Sequence, residues 1–337
     1  MTIVLAVIAG GALGFVLERG DMCFHSTWRG LLLLPRRTDL FGAYILLLLI
    51  SIPAVQALRQ FGWIDPVIPS FAWKANIVGG AIFGVGMVVA ASCITGLFYK
   101  LGHGMLGTAV GVAAWAAGDV VVWRGPLSGL QESLRSSVVT VDGGPATVQA
   151  QFGSIGVVAL VTLGVGAAIY VRRTPCGSRG GLWNWLRLGT LAAAVLTAAW
   201  LLADLHGANY TYGTSGVPTF FWDHLRGNGS GSWWIPVALI SIVPGAFAAA
   251  HLGRTMWVRG ENAKRYVQLG VGGAIMGVGA AIAGGCNLGH SMVGVPLLSL
   301  GSIVTTLALI AGIGLGHYLL PLTRISLFST AEVTDRR

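Results

Sequence analysis

Charge is what this sequence has least of. Only 10% of its 337 residues are Asp, Glu, Lys or Arg, against about 25% in soluble domains, which excludes an ordinary water-soluble globule. Cysteine is scarce too. Cys23, Cys93, Cys176 and Cys286 lie far apart with no Cys-x-x-Cys pair, which argues against a dithiol redox motif and a structural zinc site. The N-terminus lacks a basic n-region and an Ala-x-Ala site, so its apolar run reads as a membrane segment rather than a cleaved leader. Twelve acidic residues face twenty-one basic ones, a net charge of +9. That excess would suit an acidic partner or nucleic acid, but positive-inside bias is the simpler account in a membrane protein.

What is present in quantity is apolar surface and glycine. Hydrophobic residues make up 54%, with 51 glycines and a mean hydropathy of +0.75. These values define an integral membrane protein, and the glycines suit helices whose backbones approach closely. The chain also repeats itself. Residues 80–96, GAIFGVGMVVAASCITG, and 273–289, GAIMGVGAAIAGGCNLG, align without a gap at an offset of 193 and share nine of seventeen residues. Both copies hold GxxxG, as Gly80/Gly84 and Gly273/Gly277, and both end in Cys-x-x-Gly.

The fold class expected is all-α and polytopic, with about nine transmembrane helices plus short re-entrant helices in two pseudo-symmetric inverted halves: one membrane domain over 1–337, with a first half at 1–125, connecting helices and outer loops at 126–230 and a second half at 231–337. A span needs about 20 mostly apolar residues. Nine segments approach this, at 3–17, 40–58, 75–92, 104–123, 151–171, 182–203, 232–251, 267–284 and 298–320. The first is short, and the two Gly-rich repeats are poor helix formers that would break or re-enter where protein covers them. If all nine cross with the N-terminus outside, inner regions (18–38, 93–103, 172–181, 252–266 and the tail) carry fifteen Lys or Arg. The outer regions (59–74, 124–150, 204–231 and 285–297) carry five. This favours N-terminus out and C-terminus in. Five crossings then separate Cys93 from Cys286, so the copies run in opposite directions, as in inverted-repeat transporters with a midplane site.

A third cysteine segment, Leu17 to Arg29, sets Cys23 among Arg19, His25, Ser26 and Arg29. Taken with Ala90 to Gly96 and Ala283-Gly-Gly-Cys-Asn-Leu-Gly-His290, the chain resembles the YeeE/YedE family of sulfur-compound transporters over nearly its whole length. It departs from the family pattern at Ala91-Ser92, where Gly-Gly is commoner, and in the long segment 204–231. The resemblance implies uptake of thiosulfate across the bacterial plasma membrane, with Cys23, Cys93 and Cys286 lining the path. It also implies a small cytosolic sulfur-carrier protein as a possible partner.

Residue chemistry is consistent with that. A dianion needs N–H, O–H and S–H donors to cross, and a neutral thiol is a weak donor and a polarizable contact for a terminal sulfur. No Lys or Arg falls in either repeat core, which disfavours strong trapping and suits a conductor. The kinked backbone near Cys93 and Cys286 would add N–H groups for the anion. The expected path is Cys23, Cys93, Cys286, His290, Ser26, Thr95 and Asn287, supported by Arg19, Arg29, Gly96 and Gly289. Each has a plainer reading: cysteines pack in membrane helices, and Arg19 and Arg29 are ordinary inner-face cations. Cys176 reads as incidental. Asp119, near Arg124, reads as a local ion pair or a snorkelling acid. His206, His224, His251 and His317 have no ligand spacing, and no cofactor or metal is expected. The competing classes are a membrane thiol enzyme, against which the separation of the cysteines counts, and a structural subunit. A selenium-compound substrate stays open within the transporter class.

Overall fold

In hydrocarbon every backbone polar group must be paired within the chain, so the apolar runs fold as helices. The computed structural model describes residues 2–34, 36–173 and 183–322; Cys176 and the basic tail lie outside them. In chain order the helices are α1 Thr2–Gly20, α2 Phe24–Leu32, α3 Asp39–Gln60, α4 Trp73–Ala90, α5 Ile94–His103, α6 Thr108–Trp123 and α7 Ser128–Arg135. There follow α8 Val148–Arg173, α9 Trp185–Leu205, α10 Val217–Leu225, α11 Trp234–Leu252, α12 Ala263–Ala283, a π-helical turn Leu288–Gly294, and α13 Leu300–Leu322. A small antiparallel sheet joins β1 Phe71–Ala72, β2 Val138–Val141 and β3 Gly144–Pro145.

All nine apolar segments form helices. Among the described residues eight spans are long and apolar enough to cross a membrane, while Thr108–Trp123 is shorter. The first segment is longer than its composition suggested, because α1 continues to Gly20. Short helices also stand between the spans, as expected. Residues 24–32, 94–103, 217–225 and 288–294 are short helical pieces that turn into the protein, and the last of them is buried throughout.

The two repeat copies pack antiparallel on one another. A Cβ at Gly79 would strike the backbone of Ala283, one at Gly86 would meet Met276 N at 2.8 Å, and one at Gly272 would strike Ala90. The start of α4 thus lies on the end of α12 and the reverse, so the halves are inverted. The GxxxG faces bind other partners: Gly80 and Gly84 seat on Thr305 and Leu309 of α13, while Gly273 and Gly277 seat on Gly111 and Trp115 of α6. Both contacts are backbone-close, as small residues permit.

The duplication also runs well beyond the seventeen residues that reveal it. Shifted by 193, α2 falls on α10 at both ends, and α4 and α12 end on equivalent residues. Position 23 then corresponds to Gly216, which begins α10.

Candidate functional site

Each of the three described cysteines follows the same backbone break. Two residues before it the chain is left-handed, at Asp21 (φ 45°), Ala91 (φ 47°) and Gly284 (φ 81°). One residue before it an N–H bonds the carbonyl five residues back: Met22 to Leu17 at 2.9 Å, Ser92 to Met87 at 3.1 Å and Gly285 to Ala280 at 2.9 Å. This is the Schellman stop of a helix. The cysteine carbonyl then accepts from the fourth residue onward, Thr27, Leu97 and His290, at 2.9, 2.9 and 2.8 Å. Each cysteine therefore stands at the start of a short return helix, where amides have no intrahelical partner.

Those amides turn to sulfur. Gly96 N–H donates to Cys93 Sγ at 3.2 Å, and Leu288 N–H donates to Cys286 Sγ at 3.2 Å. Cys23 Sγ accepts from the Cys93 N–H at 3.3 Å and lies 3.5 Å from Cys93 Sγ. All three thiols are buried and unpaired by disulfides. Gly96 must be small here, because a Cβ would sit 3.0 Å from Cys23 Sγ and 2.7 Å from Ser92 Oγ.

The two repeat copies meet through their return segments, where Asn287 Nδ2 donates to Thr95 Oγ1 at 3.5 Å and both residues are buried. His290 holds the Ser302 hydroxyl at Nδ1 (3.0 Å), and its buried Nε2 has no partner. The Gly289 carbonyl accepts the Tyr210 hydroxyl at 2.6 Å. Ser26 is half-buried on α2. Arg19 stands apart, against Gly253 and 5.9 Å from the Trp183 ring, and Arg29 lies in the last turn of α2. Of the expected residues, then, Cys23, Cys93, Thr95, Gly96 and Asn287 converge, whereas Cys286, Gly289 and His290 form the second arm.

Two readings are corrected. Asp119 does not pair with Arg124, which instead grips Asp223 through Nη2 at 2.7 Å and Nε at 3.0 Å. Its carboxylate accepts from Gly216 N–H at 3.0 Å and Thr219 Oγ1 at 2.9 Å. Asp119 thus caps the one return helix that has glycine where its twin has a cysteine. The separation of the cysteines in sequence also proves no bar to contact, since Cys23 and Cys93 touch.

Sequence reasoning missed Ser92, whose hydroxyl lies 3.9 Å from Cys23 Sγ. It missed the Tyr99 hydroxyl bonded to Asp21 at 2.9 Å, and Arg135. The α7 helix is pinned to α12 by Gln131 Nε2 on the Ala281 carbonyl at 3.0 Å, which carries Arg135 to Gly284. Burial pushes the Arg135 guanidinium below the usual arginine range. Ser92 alone had a signal, its place beside a repeated cysteine. Among the described residues no group of three His, Cys, Asp or Glu is placed to hold a metal.

An inverted pair of helical halves, closed at its centre by buried return helices with thiols and amides at their tips, defines a polytopic membrane transporter. The chain belongs to the sulphur transport family, whose profile matches residues 19–315. It is 29% identical over 322 residues to the thiosulfate transporter TsuA of Spirochaeta thermophila, covering 91% of this chain and 95% of that protein. It is 27% identical over 306 residues to the TsuA of Escherichia coli, covering 86% and 87%. A probable transporter of E. coli, YedE, matches over 104 residues at 31% identity, 30% of this chain and 25% of that one. The chain is a bacterial multi-pass inner-membrane protein whose family moves sulfur oxyanions, a transporter rather than an enzyme.

Proposed function

We propose that this protein takes thiosulfate into the cytoplasm along a path that runs from Cys286 past Asn287 and Thr95 to Cys93 and Cys23. The observation that carries this reading is the shared placement of the three thiols. Each sits at the start of a buried return helix with its sulfur held by a backbone amide, so thiols and amides, the donors a sulfur oxyanion needs, stand together at each tip. Two relatives covered over most of their length are thiosulfate transporters, which supports the choice among sulfur anions. His290, with Nε2 unpartnered, adds a donor on the second arm. The charge bias between loops supports an N-terminus outside and a C-terminus in the cytoplasm. The basic inner face would suit an acidic sulfur-carrier protein at the exit.

The test is growth on thiosulfate as sole sulfur source of a bacterium lacking its own thiosulfate and sulfate uptake, expressing this chain or its Cys93→Ala form. Rescue by the natural chain and its loss in the variant, at matched membrane abundance, is the expected result. Rescue by both would remove Cys93 from the path. Rescue by neither, with folded protein in the membrane, would sink thiosulfate as the substrate of this chain alone.

A further inference from the structure

We infer that Arg135 on α7 captures the anion at the mouth of the Cys286 arm, holding it between its guanidinium and His290 Nε2 before it enters the thiol path. This rests on the transport reading above and names a residue that neither the repeat nor the cysteine motifs contain.

Five cations lie in the regions expected to face outward, and four of them are accounted for. Arg59 bonds Gln56 Oε1 at 3.1 Å, Lys74 stands over the Trp73 ring, Arg124 grips Asp223, and Arg226 stands over Trp222. Arg135 differs. Its Cζ lies 5.3 Å from the Trp123 ring, yet its Nη1 is buried without a hydrogen-bond partner, the one Arg or Lys nitrogen in that condition among the described residues. No carboxylate among those residues forms an ion pair with it. Leaving a cation so placed without a counter-charge is costly, and an anionic ligand would offset that cost.

Geometry brings the two groups to one stretch of backbone. A Cβ at Gly284 would stand 2.9 Å from Arg135 Nη1 and 3.3 Å from Nη2, while one at Gly285 would stand 2.8 Å from His290 Nε2. The two glycines just before Cys286 thus let the guanidinium and the imidazole, each with a buried nitrogen that has no hydrogen-bond partner, close directly onto the backbone leading to Cys286. The first copy has Ala91 and Ser92 at these positions, whose side chains would bar such an approach. A guanidinium fork matches an oxyanion edge, and the left-handed turn at Gly284, beside which that fork lies, leads directly into Cys286.

The test compares uptake of radiolabelled thiosulfate by cells carrying the natural chain, Arg135→Gln, Arg135→Lys or Gly284→Ala at matched membrane abundance. It is paired with thiosulfate binding to the detergent-purified proteins. Expected are a KM raised tenfold or more in Arg135→Gln with Vmax within twofold, and a smaller rise in Arg135→Lys. Gly284→Ala should give a loss of affinity like that of Arg135→Gln. Equal KM and equal binding in the natural chain and Arg135→Gln would overturn the assignment while leaving the transport reading standing. If Arg135→Gln does not fold, an unchanged affinity in Gly284→Ala would overturn it instead. Absence of uptake by the natural chain would defeat the transport reading, and the binding comparison would still decide Arg135.

Discussion

Cys23 Sγ lies 3.5 Å from Cys93 Sγ, although seventy residues separate them in the chain. A disulfide needs about 2.05 Å between sulfurs, so a small shift joins them. Oxidation with diamide, which accepts the two electrons and two protons released, should yield a Cys23–Cys93 crosslink that stops uptake until dithiothreitol is added. Peptide mass spectrometry reads the bond. Its absence under conditions that oxidise both thiols separately would mean the sulfurs do not meet in the membrane.

Gly96 tests the same contact without chemistry. Its missing side chain leaves room for Cys23 Sγ and Ser92 Oγ, so Gly96→Ala should push the thiols apart. Overpacking of this kind costs about 1–3 kcal/mol. We expect uptake to fall severalfold with the protein still present in the membrane, and normal uptake by a well-expressed Gly96→Ala would count against a tight thiol pair.

Ala91 holds φ at 47°, a left-handed conformation that costs an L-residue about 1–2 kcal/mol. Its twin is Gly284, which adopts φ 81° freely. Ala91→Gly should therefore stabilise the protein by about 1 kcal/mol once the greater freedom of unfolded glycine is subtracted. A thermal unfolding midpoint in detergent that fails to rise would contradict the strain.

Asp119 holds two donors of α10 in a buried place. Asp119→Ala would orphan both at a cost of about 1–3 kcal/mol. Asp119→Asn keeps one acceptor oxygen and should lose less. Midpoints for both variants equal to that of the natural chain would mean the cap contributes nothing.

The Asp223 carboxyl is held below the usual carboxylate range by its hydrogen bond and charge contact with Arg124. A depressed folded value means the pair supports folding above the ordinary carboxylate pKa of about 3.9 and is lost as pH falls through the lower folded value. Because the pair is solvent-exposed, screening keeps its effect small near neutrality. Asp223→Asn should leave the midpoint at pH 7 almost unchanged, and its difference from the natural chain should vanish in strong acid. A large loss at neutral pH in high salt would show that the pair does more than this.

Much of this architecture was legible before any coordinate. Low charge and apolar runs of spanning length dictated helices in a membrane, because hydrocarbon offers the backbone no other partner. The matched Gly-rich segments and their Cys-x-x-Gly ends dictated a duplication, and crossing parity implied the inversion that Gly79 on Ala283 and Gly272 on Ala90 display. What the chain order could not convey is which tips meet. That Cys23 joins Cys93, that Asp119 closes α10 and that Arg135 arrives beside Gly284 depend on contacts between residues 70 to 149 positions apart. Short helices were expected but their positions could not be read, because nine or ten residues carry too little periodicity to separate a buried helix from a connecting turn. Local sequence determined the helices and their breaks, since those depend on hydropathy and on backbone preference within a turn. Only the packing of two inverted halves decided which thiols, amides and cations share a site.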